Sequence, residues 1–206
     1  MKVKICAVQF DISKNFESNL KKAEKFMKTA NLKKCDIICF PELFLTGPLK
    51  KEGYNHKIAL KSKKSFQNLC KKYSIYCVTG SIIEKTGKRF YNKSYLISDK
   101  GKIIGSYSKN HLAQNSEGRF ISPGNEPKVF KTKIGNIGIQ ICRDLLYPEI
   151  TRKMMLKKAQ IVFCLRETYR LPLKKGFPAK QIVAIQALFL IDAHCPQLLR
   201  EFLLFF

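Results

Sequence analysis

Short apolar runs that alternate with amphipathic stretches constrain this 206-residue chain more than any other feature. VKICAVQF at 3–10, CDIICF at 35–40, IYCVTGSIIEK at 75–85, GNIGIQIC at 135–142 and AQIVFCL at 159–165 have the length and β-branched content of buried strands. Between the first two, Phe16, Leu20, Ala23, Phe26, Met27 and Ala30 fall on one helical face with lysines opposite. Residues 56–73 repeat that pattern with Ile58, Leu60, Phe66 and Leu69. RFYNKSYLISDKGKIIGSYSK reads as two strands turning at Asp99-Lys100-Gly101, and a second hairpin is expected at Gly135-Asn136. The order is β-α-β-α-β-β-β-loop-β-β-α-β, followed by a helix over about 178–188. Mixed strands with intervening helices make an α/β fold of sheets covered by helices. No linker, repeat or low-complexity segment divides the chain, so residues 1–206 are expected to form a single domain.

Charge and cysteine content narrow the class. The formal net charge is +24, from 39 basic and 15 acidic residues. Such an excess suits a polyanion partner, yet the lysines are dispersed and no basic run of five occurs. A solvated lysine-rich surface is the better reading, and no specific nucleic acid is expected. Eight cysteines include no CxxC pair, and the three histidines make no ligand spacing with them, so no metal is expected. No apolar stretch reaches the roughly 18 residues needed to span a membrane. A cytoplasmic protein with reduced thiols is expected.

Three apolar strands end on a reactive residue: FPELFLTG on Glu42, SYSKNHL on Lys109 and GIQICRDLLYPEI on Cys142. Side chains at strand ends of layered α/β folds converge on clefts. A carboxylate, an ammonium and a thiol meeting there form an acyl-transfer site. The carboxylate takes the thiol proton, the thiolate attacks, and the ammonium steadies charge on the attacked oxygen and lowers the thiol pKa. Taken singly, each residue has a plainer reading. Cysteine is commonly core filler, Lys109 is one lysine of many, and Glu42 follows a proline in a turn. His111 reads as a structural hydrogen-bonding residue, Arg143 and Asp144 as residues that orient the turn, and Cys39 as an inert buried thiol.

AVQFDI, FPELFLTG, YNKSYLISDKGKIIGSYSKNHL and GNIGIQICRDLLYPEI, in that order, resemble the nitrilase superfamily, the carbon–nitrogen hydrolases. The resemblance covers about the first 165 residues. It implies a four-layer α-β-β-α sandwich and a Glu-Lys-Cys triad at Glu42, Lys109 and Cys142. Glu117, eight residues after the lysine, matches a second glutamate found in many members, and the backbone N–H of Arg143 would complete the oxyanion site. The implied activity is hydrolysis of a small linear amide or N-carbamoyl compound through a cysteine thioester, without cofactor, in a homodimer or higher oligomer. A nitrile substrate fits less well, because Arg143-Asp144 stands where the nitrile-cleaving branch carries Trp-Glu.

After Cys164 the resemblance weakens, and PQLLREFLLFF at 196–206 matches nothing in the family pattern. The expectation is a sandwich truncated or diverged at its C-terminus, with a strand edge and an apolar face left unpaired. The alternative function is therefore a non-catalytic remnant of the fold, or a partner of a full-length paralogue.

Overall fold

The computed structural model describes residues 2–13, 15–47, 56–113 and 117–166, together with the backbone of two later strands. The elements run β1 (Val3–Val8), α1 (Phe16–Leu32), β2 (Ile37–Cys39), α2 (His56–Tyr73), β3 (Tyr76–Thr86), β4 (Arg89–Ile97), β5 (Ile103–Ser108), β6 (Val129–Thr132) and β7 (Gly135–Ile141). A single-turn 3₁₀ helix (Cys142–Leu146), α3 (Pro148–Leu156), β8 (Ile161–Leu165), β9 (Ala187–Ile191) and β10 (Leu199–Phe205) follow. One sheet has the order β10-β1-β2-β3-β4-β5 and the other β6-β7-β8-β9. The β10-β1-β2-β3 part is parallel, and so is the β7-β8 pair; the remaining pairs are antiparallel.

The two-residue period of a strand distributes β1 between two cores. Val3, Ile5 and Ala7 join Ile37, Cys39, Val78 and Leu96 against Ile137, Ile139, Ile141, Ile161 and Phe163 of the second sheet. Cys6 and Val8 join Ala23, Met27 and Ala30 of α1 and Phe66, Leu69 and Cys70 of α2. On the far side of the second sheet, α3 buries Ile150 and Met154. A Cβ at Gly138 of β7 would stand 2.8 Å from the Met154 sulfur, so α3 packs as closely as a bare backbone allows. Helices, sheet, sheet and helix make the four-layer α-β-β-α arrangement. The entry to α1 is fixed by Asn15, whose side chain accepts N–H bonds from Glu17 (2.8 Å) and Ser18 (3.2 Å). No helix among the described residues is long and apolar enough to cross a membrane.

Three expectations change. The second hairpin turns at Lys133-Ile134, two residues before Gly135-Asn136. The Thr132 hydroxyl accepts from the Ile134 N–H (3.1 Å) and donates to the Gly135 carbonyl (2.6 Å), closing the turn early, and Gly135, at φ 122°, already opens β7. The helix expected over 178–188 lies outside the described residues up to 186, and residues 187–188 begin β9. The apolar C-terminal segment is a strand: β10 pairs in parallel with β1, with Ile5 opposite Phe202 and Val8 opposite Phe205, and covers an edge that would otherwise lie open.

Candidate active site

Glu42 sits in the turn that follows β2. Proline at 41 ends the strand, and the chain turns through Leu43, at φ 50°, with the Thr46 and Gly47 N–H groups both donating to the Leu43 carbonyl. The turn presses against β3, where Gly80 is required: at φ 71° its Cβ would lie 2.3 Å from the Pro41 carbonyl oxygen and 2.7 Å from the Phe44 ring. The β3–β4 register slips between Val78 and Ser81, which bends β3 beneath Glu42.

Lys109 is the first residue past β5. Its N–H donates to the Asn92 carbonyl (2.9 Å), and its own carbonyl accepts from Gly124 (2.8 Å). Its ammonium donates to Glu42 Oε1 at 2.9 Å and to Glu117 Oε2 at 2.8 Å. All three side chains are buried, with residue exposures of 2% for Lys109, 2% for Glu42 and 3% for Glu117. Asn92 of β4 completes the cluster, donating through Nδ2 to Glu42 Oε1 (2.9 Å) and Glu117 Oε1 (3.0 Å). Glu117 Oε2 also accepts the Ala113 N–H (2.8 Å).

Cys142 is the first residue past β7. Its φ of 47° is a left-handed conformation that costs a non-glycine residue roughly 1–3 kcal/mol. The short 3₁₀ helix begins there, and Asp144, fully buried, holds the turn from inside. One Asp144 oxygen accepts from the Tyr107 hydroxyl (2.7 Å) and the Ile141 N–H (3.0 Å). The other accepts the N–H groups of Asn110 (3.2 Å) and His111 (2.8 Å). Asp144 thus fastens the cysteine turn to the segment that presents Lys109. His111 stacks on Tyr147, with ring centroids 3.6 Å apart, and its Nδ1 lies 3.2 Å from Asp144. Arg143 stands in the first turn of the 3₁₀ helix, where backbone N–H groups have no partner inside the helix.

The structure therefore gathers Glu42, Lys109, Glu117 and Cys142, with the Cys142 thiol within interaction range of the Glu42 carboxylate. Burial pushes the Glu42 pKa above its ordinary value, opposed by the Lys109 charge and hydrogen bond. Burial also works against the Lys109 ammonium, but the two carboxylates outweigh it and hold the lysine pKa above normal. The thiol is pushed up to about 11, first by burial and then by the Glu42 charge, with Lys109 opposing. The lowering expected from lysine is present but does not win, because burial of the thiol, joined by the Glu42 charge, outweighs it. With its pKa near 11 the thiol rests protonated at neutral pH, so the nucleophile is made only when the proton moves. Cys39 is 1% exposed with its pKa well above normal, as suits a buried thiol.

Asn92 escapes a reading of the sequence. It lies mid-strand, and only the register of β4 beside β3 and β5 brings it under both carboxylates. A polar residue at an inward position of YNKSYLI was the available signal.

A two-sheet sandwich with a carboxylate, an ammonium and a thiol meeting at its strand ends defines a class, and the chain belongs to the carbon–nitrogen hydrolase family, whose model matches residues 4–197. Among individual proteins it is similar to 2-oxoglutaramate amidase of Bacillus subtilis, 32% identical over 79% of this chain and 64% of that one. It is also similar to N-carbamoylputrescine amidase of Solanum tuberosum, 30% identical over 78% of this chain and 57% of that one. An amidase from Nesterenkonia sp. shares the fold with a TM-score of 0.73 at 18% identity, over 79% of this chain and 64% of that one. The chain thus spans less than two thirds of the length of each of these proteins.

Proposed function

We propose that the chain hydrolyses the carbon–nitrogen bond of a small linear amide or N-carbamoyl compound, with Cys142 as nucleophile and Glu42 as general base and acid. The observation that carries this reading is the buried Glu42–Lys109 pair at 2.9 Å with the Cys142 thiol beside the same carboxylate.

Glu42 takes the thiol proton as the sulfur attacks the carbonyl carbon. An ammonium has three N–H donors. Lys109 uses two on Glu42 and Glu117, so the third is left for the oxyanion, with the Arg143 N–H as second donor. The tetrahedral intermediate collapses to a thioester, and the departing amine or ammonia takes its proton from Glu42. Water then attacks the thioester and gives a proton to Glu42. Collapse expels the Cys142 thiolate, which recovers that proton, and the acid product leaves. Glu117 acts as a positioning residue: it balances the Lys109 charge and fixes where the third N–H points. Both Asn92 N–H groups are committed to the carboxylates, so Asn92 sets the spacing of the pair.

The family membership and the amidases among the relatives support this reading. Mass spectrometry after incubation with short amides tests it. An acyl adduct of thioester mass on Cys142, absent in Cys142→Ala, is expected. A folded chain that acquires no adduct from any amide would instead be the non-catalytic form of the fold.

A further inference from the structure

Asn92 lies mid-strand in β4, opposite Ile83 of β3, and is fully buried. Its backbone carbonyl accepts the Lys109 N–H at 2.9 Å. Its side chain serves both carboxylates that the Lys109 ammonium binds: Nδ2 donates to Glu42 Oε1 at 2.9 Å and to Glu117 Oε1 at 3.0 Å. Asn92 Oδ1 is buried as well, and among the described residues it has no hydrogen-bond partner. An amide turned the other way would aim its carbonyl at two carboxylates, so the orphaned oxygen is the lesser cost, and the orientation of the group is fixed.

Lone pairs distinguish the two glutamates. Each carboxylate oxygen has about two acceptor sites. Glu42 Oε1 receives both the Lys109 ammonium (2.9 Å) and Asn92, which fill it, and none of the described N–H groups lands on Oε2. In Glu117 neither oxygen is left without a donor: Asn92 binds Oε1, while Lys109 (2.8 Å) and the Ala113 N–H (2.8 Å) bind Oε2. From this arrangement we propose that Asn92 is a positioning residue that divides the work between the Glu42 oxygens: together with Lys109 it saturates Oε1, which assigns the proton transfers with Cys142, the leaving nitrogen and water to Oε2. When Oε2 takes the thiol proton, Oε1 becomes a carbonyl oxygen and keeps both donors, so nothing in the cluster reorganises as the proton comes and goes. Burial works against the Glu42 charge, and N–H bonds to a carboxylate favour it. Without Asn92, Glu42 keeps Lys109 alone, whereas Glu117 keeps Lys109 and the Ala113 N–H. Oε1 then has an open acceptor site, and the proton has two places to go.

This inference rests on the amide-hydrolase reading of the site, and two measurements keep them apart. Asn92→Leu preserves most of the volume and removes both donors. With butyramide as probe it is expected to lower kcat by roughly 10- to 100-fold, the size of a hydrogen bond to a charged group, with little change in KM. The acid limb of kcat/KM should move to higher pH by about one unit, because Glu42 has lost a donor that favours its charge. Asn92→Asp, which keeps the shape but sets a third carboxylate against the other two, should lose more. A loss that is equal at every pH, with the acid limb unmoved, marks a merely structural role and overturns the proposal. The second measurement needs no substrate. In a chain carrying ¹³C at the glutamate Cδ, the Glu42 signal is identified by its absence from Glu42→Gln, and its titration should lie about one unit higher in Asn92→Leu than in the parent. Should Asn92→Leu fail to fold, Asn92→Ser retains one donor and should show a smaller shift in the same direction. A parent that acylates at Cys142, with neither the acid limb nor the Glu42 titration moved in the folded variant, overturns the role of Asn92 and leaves the amide-hydrolase reading standing. If no amide acylates Cys142 of the parent, the amide-hydrolase reading fails and this one with it.

Discussion

Glu42 has opposing effects on the thiol beside it. As a base it is required for turnover, yet its charge and hydrogen bond raise the thiol pKa. Glu42→Gln is therefore expected to lower amide turnover by roughly 10²–10⁴-fold while bringing the Cys142 pKa below its present value of about 11. Alkylation by iodoacetamide, followed at Cys142 by mass spectrometry as a function of pH, measures the second effect. A thiol pKa that rises in the variant would contradict this account of the charges. The raised Glu42 pKa also fixes the sign of two pH dependences. The working base is the carboxylate, so the acid limb of kcat/KM should fall above pH 4.5, the ordinary glutamate value, and not at it. The folded state holds this proton more tightly than the unfolded chain. Stability from this group is thus greatest at low pH and declines as pH rises from 4.5 through the folded-state value. Denaturant titrations across that range should show a decline in the parent chain that Glu42→Gln lacks.

The site depends on what its turns press against. Gly80→Ala would force a Cβ onto the Pro41 carbonyl and the Phe44 ring. A loss of roughly 2–3 kcal/mol in chemical denaturation is expected, with activity falling further than stability alone explains, because the displaced turn carries Glu42. Asn15→Ala serves as the contrasting case. It removes the α1 cap at a cost of about 1 kcal/mol, and any remaining folded protein should keep its kcat. Asp144 was legible only in part. RDLLYPE marks a turn after the strand, but it contains no hint that one carboxylate would collect donors from Tyr107, Asn110, His111 and Ile141. All but Ile141 belong to β5 and its following loop, more than thirty residues away, and β5 reaches the cysteine turn only because the two sheets stack. Asp144→Asn keeps the volume but turns an N–H₂ group toward these donors, so both thermal stability and Cys142 acylation should fall.

At the scale of the molecule, local pattern revealed the elements and hid their neighbours. Helical spacing marked α1 and α2 within a residue or two, because each buries one face. The strand ends bearing Glu42, Lys109 and Cys142 were visible because a proline, a loop and an Arg-Asp pair stop apolar runs there. Nothing in LLREFLLF indicated that it would lie parallel to VKICAV, nearly two hundred residues earlier, since strand pairing at that separation depends on the whole sheet. Phe202→Pro, which removes a backbone donor from the β10 ladder, is expected to lower the Tm and speed amide exchange over Val3–Val8 while leaving β7 protected. Unchanged exchange in β1 would argue against this pairing. The left-handed backbone at residue 142 also bears on the molecule's margin of stability. Glycine adopts that geometry without steric penalty, so Cys142→Gly should fold more stably than Cys142→Ala despite having no side chain at all. Here the sulfur occupies a site that thermodynamic optimisation alone would have left bare.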